Sequence, residues 1–134
     1  MKTAYTYAEL SYAKRLKVGA VLVRDDRIVS IGYNGTLSGG SNICEVEVAG
    51  ELVTKKEAAH AEMNCIAFAA LNGISTKGCT LVTTDSPCYD CCKLLIQAGI
   101  KEIYFDRQYR DRGPLDLLKE YDVKYEKVLY ESQA

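Results

Sequence analysis

The sequence predicts an α/β fold in which helices pack against a layered sheet. Short runs rich in β-branched residues alternate with helix-like segments along the chain, which is the pattern of such folds. The 134 residues, 48% of them hydrophobic, suit one compact domain over 1–134 with a single core. The sequence shows no internal repeats and no low-complexity tracts.

The first predicted elements are a helix and a β-hairpin. Residues 4–16 carry three apolar side chains at helical spacing among polar neighbours, which predicts a helix. The runs 17–24 and 27–33 are β-branched and flank Asp25 and Asp26. This pattern is typical of an antiparallel hairpin with a tight polar turn.

A long ordered loop is expected from Asn34 to about Lys56. It opens with the letters NGTLSGGSN, in which three glycines and several hydroxyl side chains favour turns. Loops of that length are usually functional or mobile.

Two helices and a strand follow the loop. Residues 58–72 are rich in alanine and other apolar residues and stop at Gly73, as a buried helix with a glycine cap does. Residues 79–84 form a short apolar strand, and Pro87 starts a helix that runs to Gly99. The chain is then expected to form a strand at 101–106, a short helix at 114–121 and a last strand at 123–130.

Composition limits the classes of function. The 18 acidic residues nearly balance the 17 basic ones, so the chain lacks the broad positive field that binds a nucleic-acid polymer. The N-terminus has no apolar core of signal-peptide length, and no stretch approaches the roughly 20 apolar residues of a membrane span. We therefore expect a cytoplasmic protein without membrane contact, whose six cysteines are thiols or metal ligands.

Two short motifs carry the chemistry. His60, the one histidine, and Glu62 form HAE at the start of a predicted helix. Cys88, the first cysteine of PCYDC, follows 28 residues after the histidine. Cys88 and Cys91 are three apart, so they share a helix face. One histidine and two cysteines with an open fourth position are typical of a catalytic zinc site, in which bound zinc lowers the pKa of its water and a nearby carboxylate moves the proton.

Two other interpretations of these motifs remain. A structural zinc site needs a fourth ligand, and Cys92 points about 100° around the helix from Cys91. A redox pair of Cys91 and Cys92 would act without zinc.

The HxE and PCxxC pair resembles the signature of the zinc-dependent nucleobase deaminases. The segments KVGAVLVRDDRIVSIGYNGTLSGGSNICE and TKKEAAHAEMNCIAFAA are similar to segments of the deoxycytidylate (dCMP) deaminases, and the likeness covers residues 14–106. It implies a three-layer α/β/α cytidine deaminase-like fold with a central five-stranded mixed sheet. It also implies hydrolysis of dCMP to dUMP, the precursor for dTMP synthesis, in a homo-oligomer, with a hexamer favoured, that dCTP activates and dTTP inhibits.

The resemblance also implies roles for individual residues. His60, Cys88 and Cys91 match the zinc ligands, and Glu62 matches the proton shuttle. Asn34 matches the amide that faces the nucleotide. The Ala61 backbone is expected at the base edge, Ser86 near the ring amine, Thr36 and Ser38 near the phosphate or sugar, and Arg27 or Arg107 at the phosphate.

Alternative functions are a zinc deaminase of another substrate, such as tRNA adenosine, free cytosine or guanine, and a non-catalytic zinc module that binds nucleotides. The charge balance and the acidic end of YEKVLYESQA argue against tRNA. A metal-adjacent carboxylate at Glu62 argues against a binding module.

Overall fold

The computed structural model describes residues 1–131. In that part of the chain, four helices and seven strands follow one another as α1 (Lys2–Ala8), β1 (Gly19–Arg24), β2 (Arg27–Tyr33), β3 (Glu45–Val48), β4 (Glu51–Thr54), α2 (Ala61–Leu71), β5 (Thr80–Asp85), α3 (Tyr89–Gln97), β6 (Glu102–Arg107), α4 (Gly113–Glu120) and β7 (Lys124–Lys127). Five strands form the main sheet in the order β2-β1-β5-β6-β7, and β3 and β4 pair separately.

The main sheet is mixed, as the family resemblance implied. Strand β1 runs antiparallel to β2 and β5, whereas β5, β6 and β7 are parallel. The predicted first hairpin is confirmed. Its turn residues Asp25 and Asp26 have φ of 51° and 62°, a left-handed conformation that aspartate tolerates and that tight hairpins require.

Helices cover both faces of the sheet, which confirms the three-layer prediction. Gly19 and Gly32 face opposite sides, because Gly32 pairs with Ala20, the neighbour of Gly19. A Cβ on Gly19 would collide with the backbone of α1 at Ala4, and one on Gly32 would lie 2.4 Å from the α2 carbonyl oxygen of Ala61. The absence of a side chain at each glycine thus lets a helix lie directly on the sheet.

Helices α3 and α4 lie on the α2 face. They connect consecutive parallel strands that advance in one direction across the sheet, and right-handed crossovers place such helices on one side. Residues from α2, α3, α4 and the strands form one buried cluster that includes Leu22, Ala61, Cys65, Leu81, Leu95, Ile103, Phe105, Leu115 and Leu118.

The first helix is shorter than the prediction of 4–16, which is wrong beyond Ala8. Helix α1 ends there, and the following segment is irregular because side chains, rather than helical carbonyl groups, bind its backbone amides. The Ser11 hydroxyl accepts a hydrogen bond from the Ala13 N–H (3.1 Å), and Glu45 accepts from two later amides of the segment. These contacts replace the i to i−4 bonds of a helix.

The prediction of an unbroken loop from 34 to 56 is also wrong. The segment contains the β3–β4 hairpin, which turns at Ala49 and Gly50 with φ of 52° and 82°. The letters EVEV and ELVT alternate around this turn, which is a local strand signal that the preceding glycines obscured.

Both metal-bearing helices begin later than predicted. Residues 58–60 are extended because Gly35 and Ala59 exchange two backbone hydrogen bonds, so α2 begins at Ala61 with His60 as its N-cap. Helix α3 begins at Tyr89, with Cys88 as its N-cap. The predicted glycine stops are confirmed, since Gly73 and Gly99 have φ of 67° and 79°.

Helix α2 is less buried than predicted. Its side chains Met63, Phe68 and Leu71 are 46%, 48% and 85% exposed. Residues 1–131 contain no helix with the length and apolar character needed to cross a membrane. All six cysteines fall in the described range, and none forms a disulfide.

Candidate active site

Three metal-ligand side chains meet where two helices begin. The His60 Nδ1 atom lies 3.4 Å from the Sγ atoms of both Cys88 and Cys91, and all three donor atoms lie within 4.8 Å of one another. A tetrahedral zinc ion at ordinary bond lengths separates its nitrogen and sulfur ligands by about 3.6 Å. The donor set and its spacing therefore fit zinc, and within residues 1–131 no second cluster of this kind occurs.

The environment of the donors favours a thiolate. A hydrogen bond from the Cys91 thiol, together with one from His60, lowers the pKa of Cys88 to about 4. Donating that proton raises the pKa of Cys91, and the hydrogen bond to Cys88 raises the pKa of His60. The Cys91 N–H at the start of α3 also points at the Cys88 sulfur, 3.5 Å away. These contacts prepare the cluster to bind a cation.

Glu62 is the carboxylate beside the donors. It is the second residue of α2, only 4% of its surface is exposed, and it lines a cavity that also reaches His60 and Cys88. Burial raises its pKa, although a hydrogen bond from Cys91 and the charge of His60 act in the opposite direction. A raised pKa makes this carboxyl group a better proton acceptor than an exposed carboxyl group.

The cavity has a volume of about 540 Å³, which is the size of a small-molecule site. Beside His60, Cys88 and Glu62, its wall contains Asp85, Ser86 and Tyr109. The rest of the wall comes from four regions: the irregular segment after α1, the end of β2, the base of the β3–β4 hairpin and the chain that leads into α2. Their lining residues are Ala13, Arg15, Leu16, Val18, Asn34, Gly35, Cys44, Glu45, Thr54, Ala58, Ala59 and Ala61.

Asn34 lines the cavity and also holds part of its wall. Its Oδ1 accepts a hydrogen bond from the Val18 N–H (2.9 Å), and its Nδ2 donates to the Leu16 carbonyl oxygen (2.8 Å). A primary amide has two N–H groups and two oxygen lone pairs. One donor and one lone pair of Asn34 are therefore left for a ligand.

The structure also brings Ala61 and Ser86 to the cavity. Ala61 is fully buried at the start of α2. The Ser86 hydroxyl accepts a hydrogen bond from the Tyr109 N–H (2.9 Å), which fixes Tyr109 in the wall.

Three other residues that were predicted to contact the ligand lie outside this cavity. Thr36 and Ser38 line a second cavity of about 500 Å³ that shares Asn34 with the first. Arg27 begins β2, whereas the site adjoins the end of that strand at Tyr33. The structure thus separates Arg27 from the metal donors.

Arg107 does not line the cavity but binds Asp85, a residue of its wall. Its guanidinium donates to Asp85 Oδ1 (2.7 Å) and to the Lys17 carbonyl oxygen (3.3 Å), and it lies 5.4 Å from the centre of the Tyr5 ring. Asp85 also accepts from the Thr84 hydroxyl (2.7 Å). Arg107 therefore holds a carboxylate of the cavity wall.

Sequence reasoning missed Arg15, Glu45, Asp85 and Tyr109. Arg15 lines the cavity and donates from Nη1 to Thr54 Oγ1 (3.1 Å). Among the described residues, its guanidinium forms no ion pair within 4.0 Å. No local pattern distinguishes it from the other basic residues, since its position depends on contacts with a distant hairpin.

Comparison with known proteins agrees with this geometry. The family model of the cytidine and deoxycytidylate deaminase zinc-binding region matches residues 1–107. A dCMP deaminase from the cyanophage S-TIM5, solved in complex with dCMP and dUMP, is 40% identical with a TM-score of 0.88, covering 95% of this chain and 92% of that chain.

Curated relatives extend the comparison. ComE operon protein 2 of Bacillus subtilis is 39% identical over 113 residues, which are 82% of this chain and 58% of that protein. The deoxycytidylate deaminase of Enterobacteria phage T4 is 32% identical over 152 residues, covering 85% of this chain and 79% of that protein. The match thus spans less than two thirds of the Bacillus protein, but most of the phage enzyme. This chain belongs to the cytidine and deoxycytidylate deaminase family, whose zinc-binding region it contains.

Proposed function

We propose that this chain is a hydrolytic deaminase that converts dCMP and water to dUMP and ammonia. The observation that carries the proposal is the cavity in which His60, Cys88 and Cys91 form a zinc-type donor set beside the buried carboxyl group of Glu62. The likeness to a cyanophage enzyme solved with dCMP and dUMP supports this substrate.

The chain's own residues divide the work of the reaction. His60, Cys88 and Cys91 would hold zinc, which would lower the pKa of a water molecule and so make a nucleophile for C4 of cytosine available at neutral pH. Glu62 accepts the proton of the attacking water and delivers a proton to N3 of the base. Glu62 then takes the second proton of the water, which is now on the oxygen bonded to C4, and delivers it to the amine. The bond from C4 to the amine nitrogen breaks, ammonia leaves, and C4 keeps a carbonyl oxygen.

The environment of Glu62 supports this role. Burial raises its pKa above the ordinary value, so it accepts a proton more readily than an exposed carboxyl group does. As the second residue of α2, it lies near His60 and against the cavity rather than in solvent.

The cavity wall offers contacts to the rest of the nucleotide. We assign the free donor and lone pair of Asn34 to the sugar, Ser86 to the ring amine and the Ala61 backbone to the base edge. Arg15 binds the phosphate, because its guanidinium lines this cavity without an ion-pair partner among the described residues. Thr36 and Ser38 remain predictions for the sugar or phosphate, since their cavity adjoins the first one at Asn34.

Two further properties belong to the proposal. The exposed apolar side chains of α2 support a homo-oligomer, with a hexamer expected, because such patches commonly mark protein interfaces. Light scattering coupled to gel filtration measures its mass.

We also propose activation by dCTP, inhibition by dTTP and a role of the dUMP product as precursor of dTMP. Saturation curves for dCMP with and without each effector test the regulation.

Ammonia release tests the activity directly. Zinc-loaded protein is assayed with dCMP, dCTP, deoxycytidine, cytidine, CMP and tRNA, with the product identified by chromatography. We expect turnover of dCMP to exceed that of the others, and Glu62→Gln to lower its kcat by roughly 10²- to 10⁴-fold, the usual contribution of a proton shuttle. Glu57→Gln is the matched control, because Glu57 is exposed and lies outside the cavity.

Four outcomes contradict the proposal in different ways. Absence of turnover with all six substrates refutes it, and dCMP binding without turnover identifies a nucleotide-binding module instead. Turnover of tRNA above dCMP assigns another substrate. Full activity of Glu62→Gln with normal zinc content refutes the proton shuttle alone.

A further inference from the structure

Glu45 is a buried carboxylate of the cavity that the proposed reaction does not use. It is the first residue of β3, it is 7% exposed, and it lines the same cavity as His60 and Glu62. A buried carboxylate needs partners that compensate for the loss of water.

Two consecutive backbone amides bind Glu45. Its Oε2 accepts hydrogen bonds from the N–H groups of Lys14 (2.7 Å) and Arg15 (2.9 Å). Successive N–H groups in an irregular segment form a concave site for an anion. In this protein the carboxylate of Glu45 already occupies that site.

The guanidinium of Arg15 lies at the same end of the cavity. Thr54 is the cross-strand partner of Glu45, and its hydroxyl accepts from the Arg15 guanidinium (3.1 Å). The described residues show no ion pair within 4.0 Å between Arg15 and Glu45. The guanidinium is therefore available to one anionic group, while the neighbouring amides are not.

We propose that Glu45 limits the ligand to a single phosphate group. This inference rests on the proposed function, in which the base lies at the metal donors and the phosphate at Arg15. A second phosphoryl group would bring further negative charge to a place where a fixed carboxylate has taken the amide donors. Like charges brought together in a partly enclosed site repel each other, so nucleoside diphosphates bind more weakly than monophosphates.

The test compares dCDP with dCMP in Glu45→Gln. Glutamine keeps a carbonyl oxygen that can accept from both amides but removes the charge. We expect the ratio of kcat/KM for dCDP to kcat/KM for dCMP to rise by about tenfold. Glu47→Gln is the matched control, since Glu47 is an exposed acidic residue on the same strand outside the cavity, and its ratio stays at the wild-type value.

Wild-type protein provides a second measurement that does not depend on folding of the variant. The Debye length falls from about 30 Å at 0.01 M salt to about 3 Å at 1 M. Screening then weakens the repulsion of the second phosphoryl group, so the dCDP to dCMP ratio rises with salt.

The outcomes separate this inference from the proposed function. Turnover of dCMP with an unchanged ratio in Glu45→Gln, or equal wild-type turnover of both nucleotides, overturns the role of Glu45 and leaves the deaminase in place. If Glu45→Gln does not fold, a wild-type ratio that is independent of salt overturns it. Failure of zinc-loaded wild type to deaminate any cytosine nucleotide refutes the proposed function and this inference with it.

Discussion

Replacing Gly32 by alanine tests how closely α2 must approach the sheet. Gly32 lies within β2 on the face that α2 covers. A Cβ there would lie 2.4 Å from the Ala61 carbonyl oxygen and 2.6 Å from the Cys65 nitrogen, whereas ordinary contact begins at 3.4 Å. Both are backbone atoms of one helix, so α2 must withdraw by roughly 1 Å as a unit.

Two opposing terms set the expected change in stability. Overpacking of this kind destabilises by about 1–3 kcal/mol, and the clash with backbone puts Gly32→Ala at the upper end of that range. Alanine also reduces the freedom of the unfolded chain, which stabilises by about 0.4–1 kcal/mol. We therefore expect Gly32→Ala to lower the free energy of unfolding by about 2 kcal/mol. Gly35→Ala is the control for stability, because a Cβ at Gly35 meets no atom within 4 Å.

Urea unfolding of metal-free protein measures this change without a contribution from zinc binding. With a slope of about 1–3 kcal/mol per molar urea, the midpoint falls by about 1 M. His60 and Glu62 stand at the start of the displaced helix, so turnover of dCMP falls by up to about 100-fold. A Gly32→Ala protein with the wild-type midpoint and turnover would refute the argument that this glycine positions the site.

Three further predictions concern the metal, the wall and pH. Cys88→Ala is expected to lower the bound zinc from one ion per chain to nearly none by elemental analysis, whereas Cys79→Ala, at a core position away from the donors, retains it. Asn34→Ala leaves the Val18 N–H and the Leu16 carbonyl without their side-chain partner. Unfolding experiments are therefore expected to show a free energy of unfolding that is lower by about 2–4 kcal/mol, and a decrease below about 0.5 kcal/mol would contradict this. Burial and a hydrogen bond to a β6 carboxylate raise the pKa of Tyr5 from 10.0 to about 12. Because the folded state then holds this proton more tightly, stability falls as pH rises from 10 to 12, and Tyr5→Phe lacks that part of the fall when midpoints are compared across this range.

Features that depend on neighbouring residues could be predicted from the sequence. The two aspartates between β-branched runs specify the first hairpin, and the glycines at the ends of α2 and α3 specify where these helices stop. Cys88 and Cys91 are three apart at the start of a helix, so their proximity follows from helix geometry alone. The β3–β4 hairpin also had a local signal, the alternation around Ala49 and Gly50, although the sequence analysis assigned this segment to a loop.

Features that depend on distant residues were decided only by the tertiary structure. The amides that Glu45 binds lie 30 and 31 positions earlier in the chain, and no periodic pattern reports a hydrogen bond of that separation. The same contacts end α1 early and bring Arg15 to the cavity, while β2 carries Arg27 to the opposite end of the sheet. The sequence by itself thus predicted the set of metal donors, the carboxyl group of Glu62 beside them and the α/β class. Only the tertiary structure decided which basic residue lines the cavity, because the position of a charged side chain depends on which segments pack beside it.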